Sequence, residues 1–478
     1  MNRHWAACFV TTLSLAVTAS LFASAVRAKG AAISDRQITS AIGRRFLADD
    51  EIPAELIDIQ TADGIVTLSG TADNALEKDR AADIAETLKG VRTVINDIHV
   101  EPVQRDDKLI RTDIQDALLD DPATAELEVR VSVSHAIATL TGQVGSGILR
   151  RLAQEVAEGV IGVGEVKNDL AISGSGNPVP DDQLAAEVRD RLTYDLWLNP
   201  SLIDVHAQQG TIKLTGSVAS LYQKNRAIRN AWIQGVRSVD SSGLAVSGWP
   251  ATSAQRSPTS LPDDAAIRKA IEAAFREDPR AQSFKLAVDV VGGHVTLSGA
   301  VDNLKARRAA EEDAQDTVGV IDVDNDLKVR MSAPLTTDEA LTQKVRAALR
   351  RDIYLDQSTI RVYVRHGLVY LYGGTGSQFE KEWAAEVVSR IRGVVAVRNR
   401  IVPSYIRPPM SNSELKDNIE WYWFWNPTIH SSRLHVSVQD SMATVSGTEP
   451  TVAEKRDAIR DAYKAGALNV FDRIKLEP

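Results

Sequence analysis

The stretch GIVTLSG, residues Gly64–Gly70, is the first of six related stretches in a chain of 478 residues. The other five stretches are Ala136–Gly142, Gly210–Gly216, Gly293–Gly299, Gly367–Gly373 and, in a weaker form, Ser441–Gly447. Their closing glycines (Gly70, Gly142, Gly216, Gly299, Gly373 and Gly447) are separated by 72, 74, 83, 74 and 74 residues. In the first stretch Val66 and Leu68 alternate with Thr67 and Ser69, which predicts a strand with one buried face. The nearly constant spacing therefore predicts six copies of one structural unit.

The residues around each closing glycine predict the rest of the unit. Apolar residues stand 32, 28 and 24 positions before the glycine in every copy, which is typical of one face of a helix. Acidic or hydroxyl residues precede several of these helices and are predicted N-caps: Ser34, Asp181, Asp263, Thr336 and Ser411. Apolar, mostly β-branched residues stand 13 and 11 positions before it and predict a first strand. An alanine stands 11 positions after it in all six copies, within a second predicted helix that a further glycine ends. A third strand completes an α-β-β-α-β order, so we predict an α+β fold in which two helices cover one face of a three-stranded mixed sheet.

This pattern resembles the BON domain, a family found in osmotically inducible periplasmic proteins of bacteria. The resemblance rests on the helix, the paired strands with their V-x-L-x-G end, the alanine-rich helix, the G-V-x-x-V turn and the final N-D-L. It extends from about Ser34 to Leu476, and the sixth copy departs from it most, with Ser441 for the leading glycine and Val445 for the leucine. The resemblance implies association with phospholipid surfaces and a role in envelope integrity or tolerance of osmotic stress.

The repeat pattern divides the chain into a leader and six units. The predicted boundaries are 1–28 for a signal peptide and 34–102, 106–173, 181–247, 263–331, 336–403 and 411–478 for units one to six, the last of them divergent. Segments rich in proline, glycine and serine separate units two from three, three from four and five from six. The connections between units one and two and between units four and five are short, so we expect packing within those two pairs.

The beginning of the chain predicts export. Arg3 precedes an uncharged apolar run that ends in small residues near Ala25 and Ala28, as secretory signals do. Cys8 lies inside this run, so the mature chain would have no cysteine and therefore no disulfide or cysteine-ligated zinc. Removal of the leader would change the formal net charge from −9 to −11, because it takes away Arg3 and Arg27 and no acidic residue. We expect a periplasmic protein without a transmembrane span.

The sequence offers no catalytic, cofactor-binding or metal-binding pattern, so we predict a protein that is not an enzyme and needs no cofactor. His430, His435 and Asp440 could in principle form a metal site, but their spacing matches no established ligand pattern. The acidic net charge and the lack of a recurrent basic and aromatic surface argue against a nucleic-acid partner.

Two features suggest contact with a lipid or protein partner. A basic residue stands eight positions after every closing glycine, Lys381 and Lys455 among them, either as an ordinary solvent-facing residue or as a charge directed at phosphate. The sixth unit also carries a run of aromatic residues in its first helix, and the third has a milder counterpart at Trp197. The candidate contact residues of the sixth unit are Trp421, Tyr422, Phe424 and Trp425. Such a run predicts either packing against a neighbouring unit or a wedge at a membrane interface.

The charge is also distributed unevenly among the units. Unit five has 11 basic and 7 acidic residues, whereas unit one has 7 basic and 14 acidic residues. A basic unit beside an aromatic helix favours binding to anionic lipid. The first functional hypothesis is therefore a tandem BON protein that binds phospholipid or another envelope component. The alternative is a periplasmic chaperone or interaction scaffold that binds envelope proteins, and the sequence does not indicate an oligomeric state.

Overall fold

The computed structural model describes residues 33–49, 52–172, 179–247, 262–330, 337–355, 359–404 and 410–476, so the predicted signal peptide lies outside the described residues. All six units have the predicted α-β-β-α-β order. In each unit the first and second strands pair antiparallel, and the second and third pair parallel. In unit one, for example, Ile57 lies opposite Gly70 in the antiparallel pair and Val66 lies opposite Val94 in the parallel pair. The predicted two-layer α+β fold with a mixed sheet is confirmed.

Units one to three contain the first six helices and nine strands. Unit one consists of α1 (Asp35–Ala48), β1 (Ile57–Ala62), β2 (Ile65–Ala72), α2 (Ala75–Glu86) and β3 (Thr93–Val100). Unit two consists of α3 (Asp107–Asp120), β4 (Val129–Ser134), β5 (Ile137–Val144), α4 (Gly147–Glu158) and β6 (Glu165–Ile172). Unit three consists of α5 (Asp181–Tyr194), β7 (Ile203–Gln208), β8 (Thr211–Val218), α6 (Leu221–Ala231) and β9 (Ser238–Val246), with a short 3-10 turn at Pro200–Leu202.

Units four to six repeat the order. Unit four consists of α7 (Asp264–Glu277), β10 (Ala287–Val291), β11 (His294–Ser298), β12 (Ala300–Val301), α8 (Leu304–Gln315), β13 (Asp322–Asn325) and β14 (Lys328–Val329), its second and third strands each being interrupted. Unit five consists of α9 (Asp338–Arg351), β15 (Ile360–Arg365), β16 (Leu368–Thr375), α10 (Gln378–Ser389) and β17 (Ala396–Pro403). Unit six consists of α11 (Asn412–Trp425), β18 (Leu434–Gln439), β19 (Met442–Glu449), α12 (Val452–Lys464) and β20 (Asn469–Leu476), with a 3-10 turn at Ser431–Arg433.

The predicted apolar positions form the core between the helices and the sheet. In unit one, for example, Ile38, Ile42 and Phe46 of α1 are at most 1% exposed. The repeated alanine of the second helix is fully buried in every unit, because its small side chain lets the helix approach the sheet closely. The six alanines are Ala81, Ala153, Ala227, Ala310, Ala384 and Ala458.

The backbone conformation at the end of each repeated stretch requires a glycine. All six glycines have φ between 113° and 139°, a region that residues with a side chain rarely adopt. A methyl group at each position would also crowd the carbonyl oxygen of the residue 14 positions earlier, where the first strand begins. The glycines concerned are Gly70, Gly142, Gly216, Gly299, Gly373 and Gly447. Their repetition therefore reflects the geometry of the hairpin.

An aspartate at the first position of the first helix holds the hairpin turn in units one to five. Its two carboxylate oxygens accept the N–H groups of the two turn residues at 2.7–3.1 Å. In unit three this residue is Asp181, which was expected to be the N-cap; the N-cap is Pro180 instead. In unit five Thr337, rather than the expected Thr336, caps the helix. The predicted caps Ser34, Asp263 and Ser411 are confirmed.

Units that are distant in sequence are joined by backbone hydrogen bonds. Between units two and five, the N–H of Ile161 donates to the carbonyl of Arg351 at 2.9 Å. In return the N–H of Ile353 donates to the carbonyl of Gly159 at 3.2 Å. The residues after the first helix of one unit thus pair with the residues after the second helix of the other, which creates a short antiparallel contact.

The same contact recurs in two further pairs of units. Units three and four are joined by the N–H of Val318 to the carbonyl of Tyr194 at 2.9 Å and by the N–H of Leu196 to the carbonyl of Asp316 at 3.0 Å, at equivalent repeat positions. The chain therefore pairs two with five and three with four. Units four and five, expected to pack together because their connection is short, do touch, but at a different place: the N–H of Gly393 donates to the carbonyl of Asp302 at 3.2 Å. The ion pair of Arg392 with Asp302 at 2.9 Å lies at the same place.

Units one and six form the third pair with a single bond of this type. The N–H of Lys89 donates to the carbonyl of Trp425 at 3.2 Å. The reciprocal donor position holds Pro427, which has no N–H group. The buried apolar residues of units one, three and six form one continuous core, whereas units two, four and five each have a core of their own. The repeat pattern alone suggests one separate core for each of the six units. The structure instead shows four cores in the described residues, one of which is shared by three units.

Candidate functional site

The aromatic helix α11 of unit six is buried. Trp423 and Trp425 are 1% exposed, Tyr422 is 4% exposed and Trp421 is 9% exposed, while Phe424 is partly buried. Of the two alternatives raised by the sequence, the structure shows packing against a neighbouring unit. The other alternative, a membrane wedge formed by Trp421, Tyr422 and Trp425, is therefore wrong, because these side chains are buried and have little surface left to contact a bilayer.

Cationic side chains of unit one cover these rings. The guanidinium of Arg44 lies 4.4 Å from the ring centre of Trp421, and that of Arg45 lies 3.7 Å from the ring centre of Tyr422. Arg44 also donates a hydrogen bond of 2.7 Å to the side-chain carbonyl of Asn418. Cation–π contacts at these distances stabilise an interface. The aromatic run of unit six thus holds unit one in place.

The remaining candidate contact residues occupy three different environments. Trp197 is 8% exposed, behind the first helix of unit three. Lys455 is held inside unit six by an ion pair with Asp472 at 2.7 Å, which supports a structural role. Lys381 is partly buried, and its backbone carbonyl accepts a hydrogen bond from Asn399. The structure does not bring these three residues together with one another or with the aromatic helix.

The exposed face of the unit-five sheet carries a different cluster. Side chains on this face alternate with the buried ones of β15, β16 and β17. We call it the arginine–tyrosine face and define it by seven residues: Arg361, Tyr363, Arg365, Tyr370, Tyr372, Arg398 and Arg400. Unit five owes much of its positive charge to these arginines, which lie on one side of one sheet.

Strand register orders this face into rows. The ring of Tyr370 lies between those of Tyr363 and Tyr372, with ring centres 6.0 Å and 6.4 Å away respectively. Tyr363 is 59% exposed and Tyr372 is 39% exposed, so these rings are open to solvent. The two rows across the sheet are Arg361–Tyr372–Arg400 and Tyr363–Tyr370–Arg398.

The arrangement suits an anionic surface. Within the described residues, none of the four arginines of this face forms an ion pair with a carboxylate. Free guanidinium groups present several N–H donors that bind phosphate in pairs. Tyrosine rings between them combine an apolar body with a polar tip, which is the character of residues at membrane–water interfaces.

These seven residues were not predicted as contact residues, although the sequence contains their signal. The net charge identified unit five as basic, but it did not show which side chains share a face. The alternation does: Arg361, Tyr363 and Arg365 stand two residues apart, out of phase with the buried Val362 and Val364. Assigning each strand residue to its face, unit by unit, would have found the face.

A cavity of about 800 Å³ lies between units one, two and five, with Trp232 of unit three in its lining. Burial raises the pKa of Asp83 to about 6, that of Glu86 to about 7 and that of Glu158 to about 8. Two of these carboxyl groups belong to α2 of unit one, where Asn225 of unit three donates a hydrogen bond of 2.6 Å to Glu86. Part of the acidic charge of unit one thus lines this cavity.

The histidines considered for a metal site are placed differently from the expectation. His430 lies beside Glu449 and Glu454, and one ligand atom from each of the three lies within 4.8 Å of the others. His435 and Asp440 do not belong to this group; both are exposed. No helix in the described part of the chain is both long and apolar enough to cross a bilayer.

One protein-family model matches most of the chain. The model of the BON domain matches residues 34–102, 106–174, 180–248, 263–331 and 337–402, which are units one to five. Unit six has the same element order in the structure but is not among the matches. The chain is similar to osmotically-inducible protein Y of Escherichia coli (strain K12), with 44% identity over 64 residues. That alignment covers 13% of this chain and 32% of the relative, so the chain matches less than half of the relative's length.

Solved structures give a weaker likeness. The C-terminal domain of CdsD, a structural protein of the type III secretion system of Chlamydia trachomatis, matches with 15% identity and a TM-score of 0.13. This match covers 45% of the chain and 100% of that domain. A second CdsD structure matches with 13% identity and a TM-score of 0.12, over 48% of the chain and 100% of that structure.

Proposed function

Because the chain belongs to the BON-domain family, we propose that it is a non-enzymatic envelope protein that binds anionic phospholipid surfaces through the arginine–tyrosine face of unit five. We place it in the periplasm, in line with the predicted signal peptide and the similarity to osmotically-inducible protein Y. Its role on this proposal is to support the envelope under osmotic stress. The observation that carries the proposal is a cluster of three tyrosines and four arginines, the latter without a carboxylate partner among the described residues.

Electrostatics favour this face although the whole chain is acidic. The formal net charge is −9, whereas unit five has four more basic than acidic residues. Charges are screened over about 8 Å at physiological ionic strength, so a lipid surface responds mainly to the groups that face it. Each arginine near an anionic membrane contributes about 1 kcal/mol of attraction. The arginine–tyrosine face therefore binds where the rest of the acidic protein surface is repelled.

The test is binding of the full chain to vesicles. We expect the protein to float with vesicles that contain phosphatidylglycerol at low salt and to stay in the buffer with purely zwitterionic vesicles. The variant Arg361→Gln with Arg398→Gln should bind anionic vesicles roughly 30-fold more weakly, since two arginines are lost. A matched control exists in unit two, where Arg130 and Lys167 occupy the same two repeat positions on the outer sheet face without any tyrosine.

The control variant Arg130→Gln with Lys167→Gln removes the same charge and should change binding less than about twofold, because those groups lie outside the proposed contact face. Equal losses in both variants would show that only net charge matters and would refute the assignment to unit five. Absence of flotation with anionic vesicles would refute lipid binding altogether. In that case, suppression of aggregation of an unfolded outer-membrane protein would favour the chaperone alternative.

A further inference from the structure

Unit six places a carboxylate where every other unit has a small or apolar core residue. Glu449 is the last residue of β19, two positions after the closing glycine, and is 0% exposed. The equivalent residues of units one to five are Ala72, Val144, Val218, Val301 and Thr375, all buried. Burial of a carboxylate is costly unless a cation or hydrogen-bond donors compensate for it. Neither carboxylate oxygen of Glu449 has a hydrogen-bond partner among the described residues.

A second change in unit six directs another carboxylate to the same place. Glu454 stands at the third position of α12, where Glu77 and Glu380 of units one and five accept the N–H of the residue four positions earlier. In unit six that earlier residue is Pro450, which has no N–H group. One oxygen of Glu454 accepts the hydroxyl of Thr451 at 2.8 Å. Its other oxygen is left to face His430.

A third change supplies an imidazole. His430 lies in the loop after α11, and its Nδ1 is 3.3 Å from Oε1 of Glu454 and 3.5 Å from Oε2 of Glu449. Charge-assisted hydrogen bonds between nitrogen and carboxylate are shorter, at about 2.7–2.9 Å. Two ligands of one tetrahedral zinc ion stand about 3.3–3.5 Å apart, because each lies about 2.0–2.2 Å from the metal. The observed separations match the edges of such a coordination polyhedron.

We propose that His430, Glu449 and Glu454 bind a divalent first-row transition metal ion, with zinc as the reference ion. One imidazole nitrogen and two carboxylate oxygens are established ligands of such ions, and a water molecule would complete the coordination. The ion would compensate the buried charge of Glu449. It would also tie the loop after α11 to the end of β19 and the start of α12.

This location gives the metal a structural consequence. Arg456, half a turn further along α12, donates a hydrogen bond to Gln315 and forms an ion pair of 3.2 Å with Asp316 of unit four. Val452 at the start of the same helix packs against the core of unit four. The metal would therefore stabilise both unit six and its contact with unit four. This role is independent of lipid binding by unit five.

The test is calorimetric titration of the full, tag-free chain with zinc chloride after treatment with a chelator. We expect one saturable site per chain, and Glu449→Gln should weaken it at least about 30-fold, because one of three protein ligands is lost. Two control variants should leave the affinity within about twofold, since neither residue is a proposed ligand. They are Glu380→Gln, at the repeat position of Glu454 in unit five, and His435→Ala, in unit six itself. Cobalt(II) should give the visible absorption of a tetrahedral N/O site, which Glu449→Gln abolishes.

A competing state is a protonated His430 between two carboxylates without any metal. Zinc binding to the proposed site would release about one proton near neutral pH, because the imidazole must be neutral to ligate, and titrations in two buffers with different ionisation enthalpies measure it. Absence of a saturable zinc site would overturn the proposal, as would a site that survives Glu449→Gln. If Glu449→Gln fails to fold, His430→Gln replaces it, and retention of the cobalt spectrum in that folded variant would equally overturn the proposal.

Discussion

The outer sheet faces of units five and one share one backbone design but present different chemistry. Two of their rows correspond position by position: Arg361–Tyr372–Arg400 and Tyr363–Tyr370–Arg398 in unit five, and Asp58–Ser69–Asp97 and Gln60–Thr67–Ile95 in unit one. Unit five presents arginines and tyrosines, whereas unit one presents aspartates, uncharged polar side chains and Ile95, with no arginine or tyrosine in these rows. The comparison teaches that the repeated positions specify the fold, while the solvent-facing positions between them are free to differentiate.

The largest expected effect concerns what the two units share. Gly373→Ala in unit five and Gly70→Ala in unit one should each destabilise their own unit by about 3–5 kcal/mol, because an alanine at this φ is strained and crowds a backbone carbonyl. Hydrogen exchange followed by mass spectrometry would show the loss of protection in the affected sheet. A loss confined to unit five alone would break the claim that the glycine has the same structural role in both units.

The second prediction exchanges the charged ends of the compared row. Arg361→Asp with Arg400→Asp gives unit five the residues of unit one and should weaken binding to anionic vesicles by about 3 kcal/mol, or 100-fold in order of magnitude. The reverse exchange, Asp58→Arg with Asp97→Arg, should strengthen binding by less than about tenfold, because unit one lacks the tyrosines. Vesicle flotation measures both. Equal and opposite effects would mean that the tyrosines contribute nothing.

The third prediction concerns Asp83 and Glu86, two acids of unit one that line the cavity described above. Burial raises the pKa of Asp83 to about 6 and that of Glu86 to about 7, so the folded state binds these protons more tightly than the unfolded chain does. Their stabilising contribution is complete below about pH 4 and is lost as the pH rises towards 6 and 7. The contribution of these two groups to stability against urea should therefore fall by about 2 kcal/mol between about pH 5 and pH 8, roughly half of what the two shifts alone imply, since the side chain of Asp83 is exposed to solvent.

The same pH experiment distinguishes unit one from unit five, because only unit one should lose stability through these two acids. Glu86→Gln should reduce the pH dependence by the contribution of Glu86, since the amide cannot ionise. Hydrogen exchange should show the loosening at α2 of unit one while β16 of unit five stays protected. A pH dependence that Glu86→Gln leaves unchanged would contradict the assignment to Asp83 and Glu86.

The smallest expected effect tests the aromatic part of the face. Tyr370→Thr gives unit five the residue of unit one at this position, Thr67, and should weaken vesicle binding by about 1 kcal/mol, or fivefold in order of magnitude. Tyr370→Phe, which keeps the ring, should lose much less. Partition between vesicles and buffer measures the change, and an equal loss in both variants would show that the hydroxyl rather than the ring makes the contact.

Most of the fold could be predicted because it depends on local periodicity. The stripes of the first helices, the alternation of the strands and the glycines that end them repeat in register, and each has one structural cause. The contacts between units could not be predicted in this way, since the carbonyl of Trp425 and the N–H of Lys89 lie at opposite ends of the chain. Asp121, Asp195 and Asp352 stand at the same repeat position, just after the first helix of units two, three and five. This repetition is visible in the sequence but was not used to predict contacts.

The site was harder to predict than the fold because recognition depends on faces formed by several strands. The sequence identified the basic charge of unit five but assigned contact to Trp421 and its neighbours, which are buried against unit one. An aromatic run in a helix has the same appearance whether its partner is a membrane or another unit. Only the arginines of unit one, Arg44 and Arg45, which cover those rings in the folded chain, decide between the two.

The nested order of the three unit pairs, with one joined to six outside two to five and three to four, has a consequence for biogenesis. The innermost pair is complete once the first four units have been made, but the partner of unit one is synthesised last of the six. Until then the surface of unit one that receives the tryptophans has no cover. Translation thus leaves an early segment waiting for a late one, and a premature stop codon before unit six would damage the beginning of the protein.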